Sequence, residues 1–296
     1  MPNLYFVLYE ITFYLQFVFC IGHAWKHGMG NILRLLMGIL FGISLELATI
    51  RQLNAYEYGQ FLIMVLDVPL GIGIAWGCIL YSVMEFSDAS SLPYFVRPIL
   101  DGLLALNIDL SLDAVAIRFG FWDWGEELNF EYFGVPYANF WAWFWVIFFF
   151  SLGYRLFARR DDWVGKWLSP FIAYIVGLFG VLGTNVFIAF IIQTQFYRGL
   201  ITLSLLVIAL TIVLAFRPKF YLKPVPSLTF WVPFITHIYV LIAGLISGLI
   251  LDPPFLLLVG LVMTLIAFYL HWPTVQQILT TVLKPPSSAA SPRDTQ

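Results

Sequence analysis

The chain has 296 residues, 61% of them hydrophobic and only 11% charged, with a formal net charge of −2 at pH 7. Apolar runs long enough to cross a bilayer recur from end to end, which excludes a soluble fold. The charge balance excludes a nucleic-acid partner, because no basic face is available to neutralise phosphates.

In chain order, the apolar run 4–21 carries Glu10 and has neither a basic leader nor a small-residue cleavage site, so it reads as a first membrane span. With about 20 apolar residues needed to cross about 30 Å of hydrocarbon, nine spans are expected. They fall at roughly 3–22, 31–50, 62–84, 94–117, 136–157, 168–192, 199–216, 229–251 and 254–271. Backbone polar groups have no partner in lipid except within their own segment, so each span is a helix. The expected fold class is an all-α, polytopic integral membrane helix bundle forming a single transmembrane domain over 1–284. The last two spans are joined by Leu251-Asp252-Pro253-Pro254 and also fit a hairpin that re-enters the bilayer. The Pro/Ser/Ala-rich tail 285–296 is expected to be disordered.

Cys20 and Cys78 lie in apolar runs and read as small core residues. Cys20, His23 and His27 could share one helix face, the spacing of a metal site. With Lys26 adjacent and no carboxylate nearby, the histidines read as surface residues and no metal is expected. Gly38-x-x-x-Gly42 and Gly244-x-x-x-Gly248 read as places where helices pack closely.

Basic loops stay on the cytoplasmic side of a membrane. Twelve of the fifteen Lys and Arg residues, among them Lys26, Arg34, Arg97, Arg155, Lys166 and Arg217, fall at one end of the nine-span arrangement, against Arg51, Arg118 and Arg198 at the other. The N-terminus is therefore expected outside and the C-terminus in the cytoplasm.

Between spans 4 and 5 the sequence changes character. Asp113 to Trp143 holds an acid, an arginine, four tryptophans, an acidic loop, a Gly-Val-Pro turn and Asn139. The topology places this knot at the outer face, together with Glu46, Tyr58-Gly59 and Asp67-Val68-Pro69. The two stretches resemble each other. Val68-Pro69 followed by Ala75-Trp76 has the spacing of Val135-Pro136 followed by Ala142-Trp143, each after an aromatic-Gly pair, Tyr58-Gly59 and Phe119-Gly120. This reads as a degenerate duplication whose two halves line one outward cavity.

Ionisable groups at membrane depth are costly and are candidates for function. Asp113, Glu46 and Asp67, with Asn139, are the candidate catalytic groups, and Tyr58, Trp76, Trp122, Trp124, Pro136 and Trp143 the candidate substrate contacts. The bland alternatives are an interfacial charge or an ion pair with Arg118 or Arg51 for Asp113 and Glu46, a lipid-interface belt for Trp122 and Trp124, a helix-starting proline, and an interhelical hydrogen bond for Asn139. Glu10, Asp101 and Asp109 are weaker candidates.

Glu46, the Tyr58-Gly59 loop, Val68-Pro69-Leu70 through Trp76, Asp113-x-x-Ala116, Gly120-x-Trp122-x-Trp124 and Gly134-Val135-Pro136-x-x-Asn139-Phe140-x-x-Trp143 together resemble the carotenoid biosynthesis membrane protein family. The resemblance covers about residues 40–150. It departs at Asp113-Ala114 and Ala142-Trp143, where Asp-Pro and Gly-Trp are expected. It implies a hydratase adding water to the terminal (ψ-end) double bond of an acyclic carotenoid, without cofactor, in a bacterial or archaeal cytoplasmic membrane or a thylakoid. The implied partners are an acyclic carotenoid reached from the lipid, the lipid itself and other enzymes of the pathway.

Such a reaction needs a proton donor, a site that tolerates a tertiary cation and a held water. A carboxyl, aromatic faces and a second carboxylate with Asn139 can supply them. The other readings are a membrane transporter and a noncatalytic pigment-binding or assembly protein. From the placement of the basic residues, a reporter fused after Lys284 should be cytoplasmic and one inserted at Glu126 should be external. Both on one side would refute the nine-span arrangement.

Overall fold

The computed structural model describes residues 3–53, 55–160 and 162–283, so the expected disorder of the tail falls outside the described residues. Ten α-helices run as α1 (Leu4–Lys26), α2 (Met29–Ala48), α3 (Leu70–Asp88), α4 (Arg97–Arg118), α5 (Tyr137–Ala158), α6 (Ser169–Val186), α7 (Gln195–Ala215), α8 (Leu228–Ser247), α9 (Pro254–Leu270) and α10 (Trp272–Leu283). The first nine occupy the nine expected spans, and the protein is a helical membrane bundle. Seven helical stretches are individually long and apolar enough to cross a membrane, and α9 with α10 forms a further candidate bent by 66°.

The helix outside this set is α4, which carries Asp101, Asp109 and Asp113. It packs against α3, α5, α7, α8 and α9, so its acids are turned toward protein and not lipid. Consecutive helices alternate between two ends of the bundle. At one end Tyr5 of α1 stacks near Phe119 beyond α4, with ring centroids 4.7 Å apart, Arg118 donates to the Asp252 carbonyl at 3.0 Å, and Trp141 of α5 donates to the Thr184 carbonyl of α6 at 3.2 Å. At the other end the Ser91 amide donates to the Lys219 carbonyl at 2.8 Å.

Three expectations change. The third span does not begin at 62: residues 64–69 form a tight ribbon in which β2 (Met64–Val65) pairs with β3 (Val68–Pro69), and helix starts only at Leu70. Proline supplies no amide hydrogen and its fixed φ suits a helix entrance, so Pro69 and Pro136 stand immediately before α3 and α5. Arg34 and Arg155 are not loop charges: both are buried in helices, where Arg34 pairs with Glu85 and Arg155 joins Asp88 to Asp101. Gly248 is a left-handed helix cap at φ 78° and not a packing residue. Gly38 and Gly42, by contrast, meet α3 directly. Across that contact a Cβ on Gly77 would lie 2.4 Å from Ile39 Cγ1, so the two helices approach as closely as backbone permits.

The repeated spacing has a counterpart in the backbone. Val65 pairs with Val68 and Tyr132 with Val135. Between them Leu66 and Phe133 both adopt left-handed φ, 57° and 51°, which is uncommon for side chains of this size. Pro69 and Pro136 then have φ/ψ of −62°/130° and −61°/137°. Each of these pairs is separated by 67 residues, and so are Glu46 and Asp113. The α2–α3 and α4–α5 hairpins thus share one entrance geometry and one acid position.

Asp101 is fully buried and accepts hydrogen bonds from Ser151 at 2.6 Å and Arg155 at 3.1 Å. Replacing Arg155 by Met strands that carboxylate and should cost about 3–5 kcal/mol, whereas adding Asp101→Leu should recover most of the loss. Thermal unfolding of the two purified variants checks this.

Candidate active site

Two loops close the site. β1 (Glu57–Tyr58) pairs antiparallel with β4 (Trp122–Asp123), placing Tyr58 opposite Trp122, and the Gly59 amide donates to the Phe121 carbonyl at 2.9 Å. Gly59 is required here, since a Cβ would lie 2.5 Å from the Gly120 carbonyl oxygen. The two aromatic-Gly pairs of the repeat therefore meet over the ends of α2, α3, α4 and α5. The loops enclose a mainly apolar cavity of about 430 Å³.

Glu46 and Asp113 both line this cavity and are 6% and 2% exposed. The Glu46 carboxylate accepts hydrogen bonds from the Tyr56 hydroxyl, from the Tyr58 hydroxyl at 2.8 Å and from Trp76 Nε1 at 2.6 Å. Burial, and next the Glu46 charge, hold the Tyr56 and Tyr58 phenols well above their usual pKa, so both hydroxyls keep their protons and donate. Across the cavity Asn139 Nδ2 donates to Asp113 Oδ2 at 2.5 Å and to Asp109 Oδ2 at 3.2 Å. The alternative of an ion pair with Arg118 or Arg51 is not realised for Glu46 or Asp113. Arg51 pairs with Asp67 at 2.8 Å, while Arg118 donates to the Ala114 and Phe133 carbonyls at 2.7 and 2.9 Å and so ties α4 to the loop.

Trp76 and Trp143, equivalent positions of the repeat, touch with ring centroids 4.3 Å apart and planes tilted by 41°. Trp122 and Trp124 fold inward onto the same cavity, Trp124 edge-on to Tyr56 at 4.5 Å and Trp122 edge-on to Tyr58 at 6.1 Å. Pro136 completes that wall. Asp67 is the expected site residue that the fold does not bring there: its side chain is 52% exposed on the β2–β3 turn, held by Arg51. Among the described residues no group of His, Cys, Asp and Glu could hold a metal ion; His23 instead reaches the Tyr81 hydroxyl at 2.8 Å.

Tyr9, Tyr56 and Asn185 line the cavity outside the expected set, and Asp109, a weaker candidate, adjoins Asp113 through the shared Asn139 amide without lining the cavity itself. Asp109 stands one helical turn before Asp113, and this i, i+4 pair of acids was a usable signal. Tyr56 lies two residues before Tyr58 and shares its acceptor. Tyr9 and Asn185 come from α1 and α6, distant in sequence, and nothing local marks them. A side of the cavity is formed by two π-helical turns, Thr49–Leu53 after α2 and Phe187–Ile191 after α6, through Thr49, Ile188, Ala189 and Phe190. Phe190 is 63% exposed, so the cavity reaches the lipid-facing surface at that point.

A protein-family profile described as carotenoid biosynthesis protein matches residues 6–215. The chain belongs to this family. The match runs from α1 through α7, well beyond the 40–150 stretch that carries the motifs, and leaves α8 to α10 outside it. No curated protein and no solved structure matches the chain. Family membership establishes a role in carotenoid biosynthesis for a protein whose aromatic, acid-bearing cavity lies between the two repeats.

Asn139 is the shared donor to two buried carboxyls. Asn139→Leu should lower stability by about 1–3 kcal/mol by leaving Asp109 and Asp113 without it, a change readable in thermal unfolding.

Proposed function

We propose that this carotenoid biosynthesis protein is a hydratase that adds water across the terminal double bond of an acyclic carotenoid, with its cavity toward the outer leaflet of the cytoplasmic or thylakoid membrane. The observation that carries the reading is the convergence of two buried carboxyl groups, Glu46 and Asp113, from equivalent positions of two repeats, on one aromatic cavity.

Hydrogen-bond accounting divides their roles. Glu46 receives three donors and offers none, the arrangement of an ionised acceptor. Asp109 and Asp113 share the single Asn139 amide, so a proton held by the pair completes their hydrogen bonding. In the proposed reaction Asp113 gives a proton to the less substituted alkene carbon, forming a C–H bond and leaving a tertiary cation. The Glu46 carboxylate and the faces of Trp76, Trp143 and Trp122 stabilise that cation. Water forms the C–O bond and surrenders its proton to the carboxyl pair, which restores the starting state. Atoms and charge balance without a cofactor. The polyene chain leaves through the side lined by Thr49, Ala189 and Phe190, directly into lipid.

Asp113→Asn and Glu46→Gln keep volume and most hydrogen bonds. In a host producing an acyclic carotenoid, each should cut the hydroxylated product by about 100-fold or more while the protein still accumulates in the membrane. Pigment chromatography reads the outcome, and wild-type product levels from both variants would sink the catalytic assignment.

A further inference from the structure

The Tyr9 hydroxyl has no hydrogen-bond partner among the described residues, although Tyr9 is only 1% exposed. A buried hydroxyl left unpaired is destabilising because it has lost its water and gained nothing in exchange, so its persistence calls for a partner that an occupant of the site supplies. The ring has no freedom to find another. It is stacked on Phe121 with centroids 4.4 Å apart, edge-on to Phe13 at 4.5 Å, and bounded by Tyr239 at 5.2 Å and Trp122 at 6.4 Å. Tyr9 lines the cavity, within electrostatic reach of Asp113 and Asp109. On the fully buried Asp109 the second oxygen, Oδ1, is also unpaired. One side of the cavity thus carries Tyr9 and Asp113, with Asp109 joined to Asp113 through Asn139, and the unpaired hydroxyl and carboxyl oxygen give this corner the spare bonding capacity that a held water would use.

Building on the hydratase reading, we propose that Tyr9 holds the attacking water and relays its proton to the Asp113/Asp109 pair. When the water oxygen bonds to the cationic carbon, the Tyr9 oxygen accepts the proton released from that water while its own proton passes to the carboxylate that protonated the alkene. One C–O bond forms, one water O–H bond breaks, the carboxyl is reprotonated and the phenol is unchanged. Without the Tyr9 hydroxyl the cation still forms, but with no positioned water it returns a proton to the carboxylate and reverts to alkene.

Tyr9→Phe keeps the ring and its aromatic box. The test uses purified full-length protein in lipid vesicles in D₂O, with lycopene as the probe. The variant should form alcohol about 100-fold more slowly at unchanged KM, while deuterium still enters the recovered carotenoid at the wild-type rate. Its thermal stability should be equal or higher, because an unpaired buried hydroxyl has been removed. Alcohol formation at the wild-type rate, parallel loss of deuterium incorporation, or a lowered unfolding temperature accompanying the loss would each overturn the role. A wild-type protein that makes no alcohol would overturn the hydratase reading itself, and this role with it.

Discussion

The constraint on which the rest depends is the expense of a carboxyl group inside a membrane bundle. The α4 helix carries three, at Asp101, Asp109 and Asp113, each at most 2% exposed. A helix so equipped cannot face lipid, and the bundle is arranged to surround it. Partners then have to come from neighbouring helices: Arg155 and Ser151 of α5 for Asp101, and Asn139 of α5 for the other two. The two ends of α4 receive opposite treatment. Near its start the acid meets a cation and is neutralised in a structural pair, and near its end the acids meet only an amide and a cavity. That asymmetry separates the ion-paired end of the bundle from the end that holds the cavity.

The repeat explains how a second acid arrives at the cavity. Glu46 occupies on α2 the place that Asp113 occupies on α4, and the matching left-handed residues Leu66 and Phe133 turn the chain into matching proline entrances. The surroundings have diverged more than the backbone. Glu46 is satisfied by two tyrosines and a tryptophan, Asp113 by Asn139, whose equivalent in the first repeat is Ile72. One duplicated frame therefore holds two carboxyls in different hydrogen-bonding states, which general acid chemistry requires and an undiverged pair would not provide.

Span positions, the all-helical class and the pairing of the two motif stretches were legible because they rest on apolar run length and on residue spacing within short windows. The start of α3 was not, since Leu62, Ile63 and Met64 are as apolar as the helix that follows, and only the backbone reveals a ribbon there. Arg34 and Arg155 sit near apolar borders and look like loop charges until their acidic partners on other helices are seen. Asp67 has the composition of a site residue, yet the β2–β3 turn carries it outward. Asp109 was visible as one turn of helix before Asp113. Tyr9 was not: its place in the cavity wall depends on α1 lying beside α8 and the chain just past α4, contacts between residues more than a hundred positions apart.

The position of the opening completes the physical picture. α2 and α6 both end in π-helical turns at the cavity wall, and such turns leave the regular hydrogen-bond ladder locally disturbed, a feature frequent at functional sites. Their side chains at the opening are small or apolar, Thr49, Ala189 and Phe190, and none is charged. The charged groups around the site lie away from this opening, buried on helices or on loops, where Glu126 lines the cavity and Asp67 and Arg51 pair outside it. A molecule entering between the π-helical turns of α2 and α6 meets no charge at that threshold, and the acids that line the cavity, Glu46, Asp113 and the loop residue Glu126, lie beyond it. That path suits a long apolar chain with its reactive group at the tip, and it disfavours a polar solute, which would have to cross an uncharged threshold to reach the same acids.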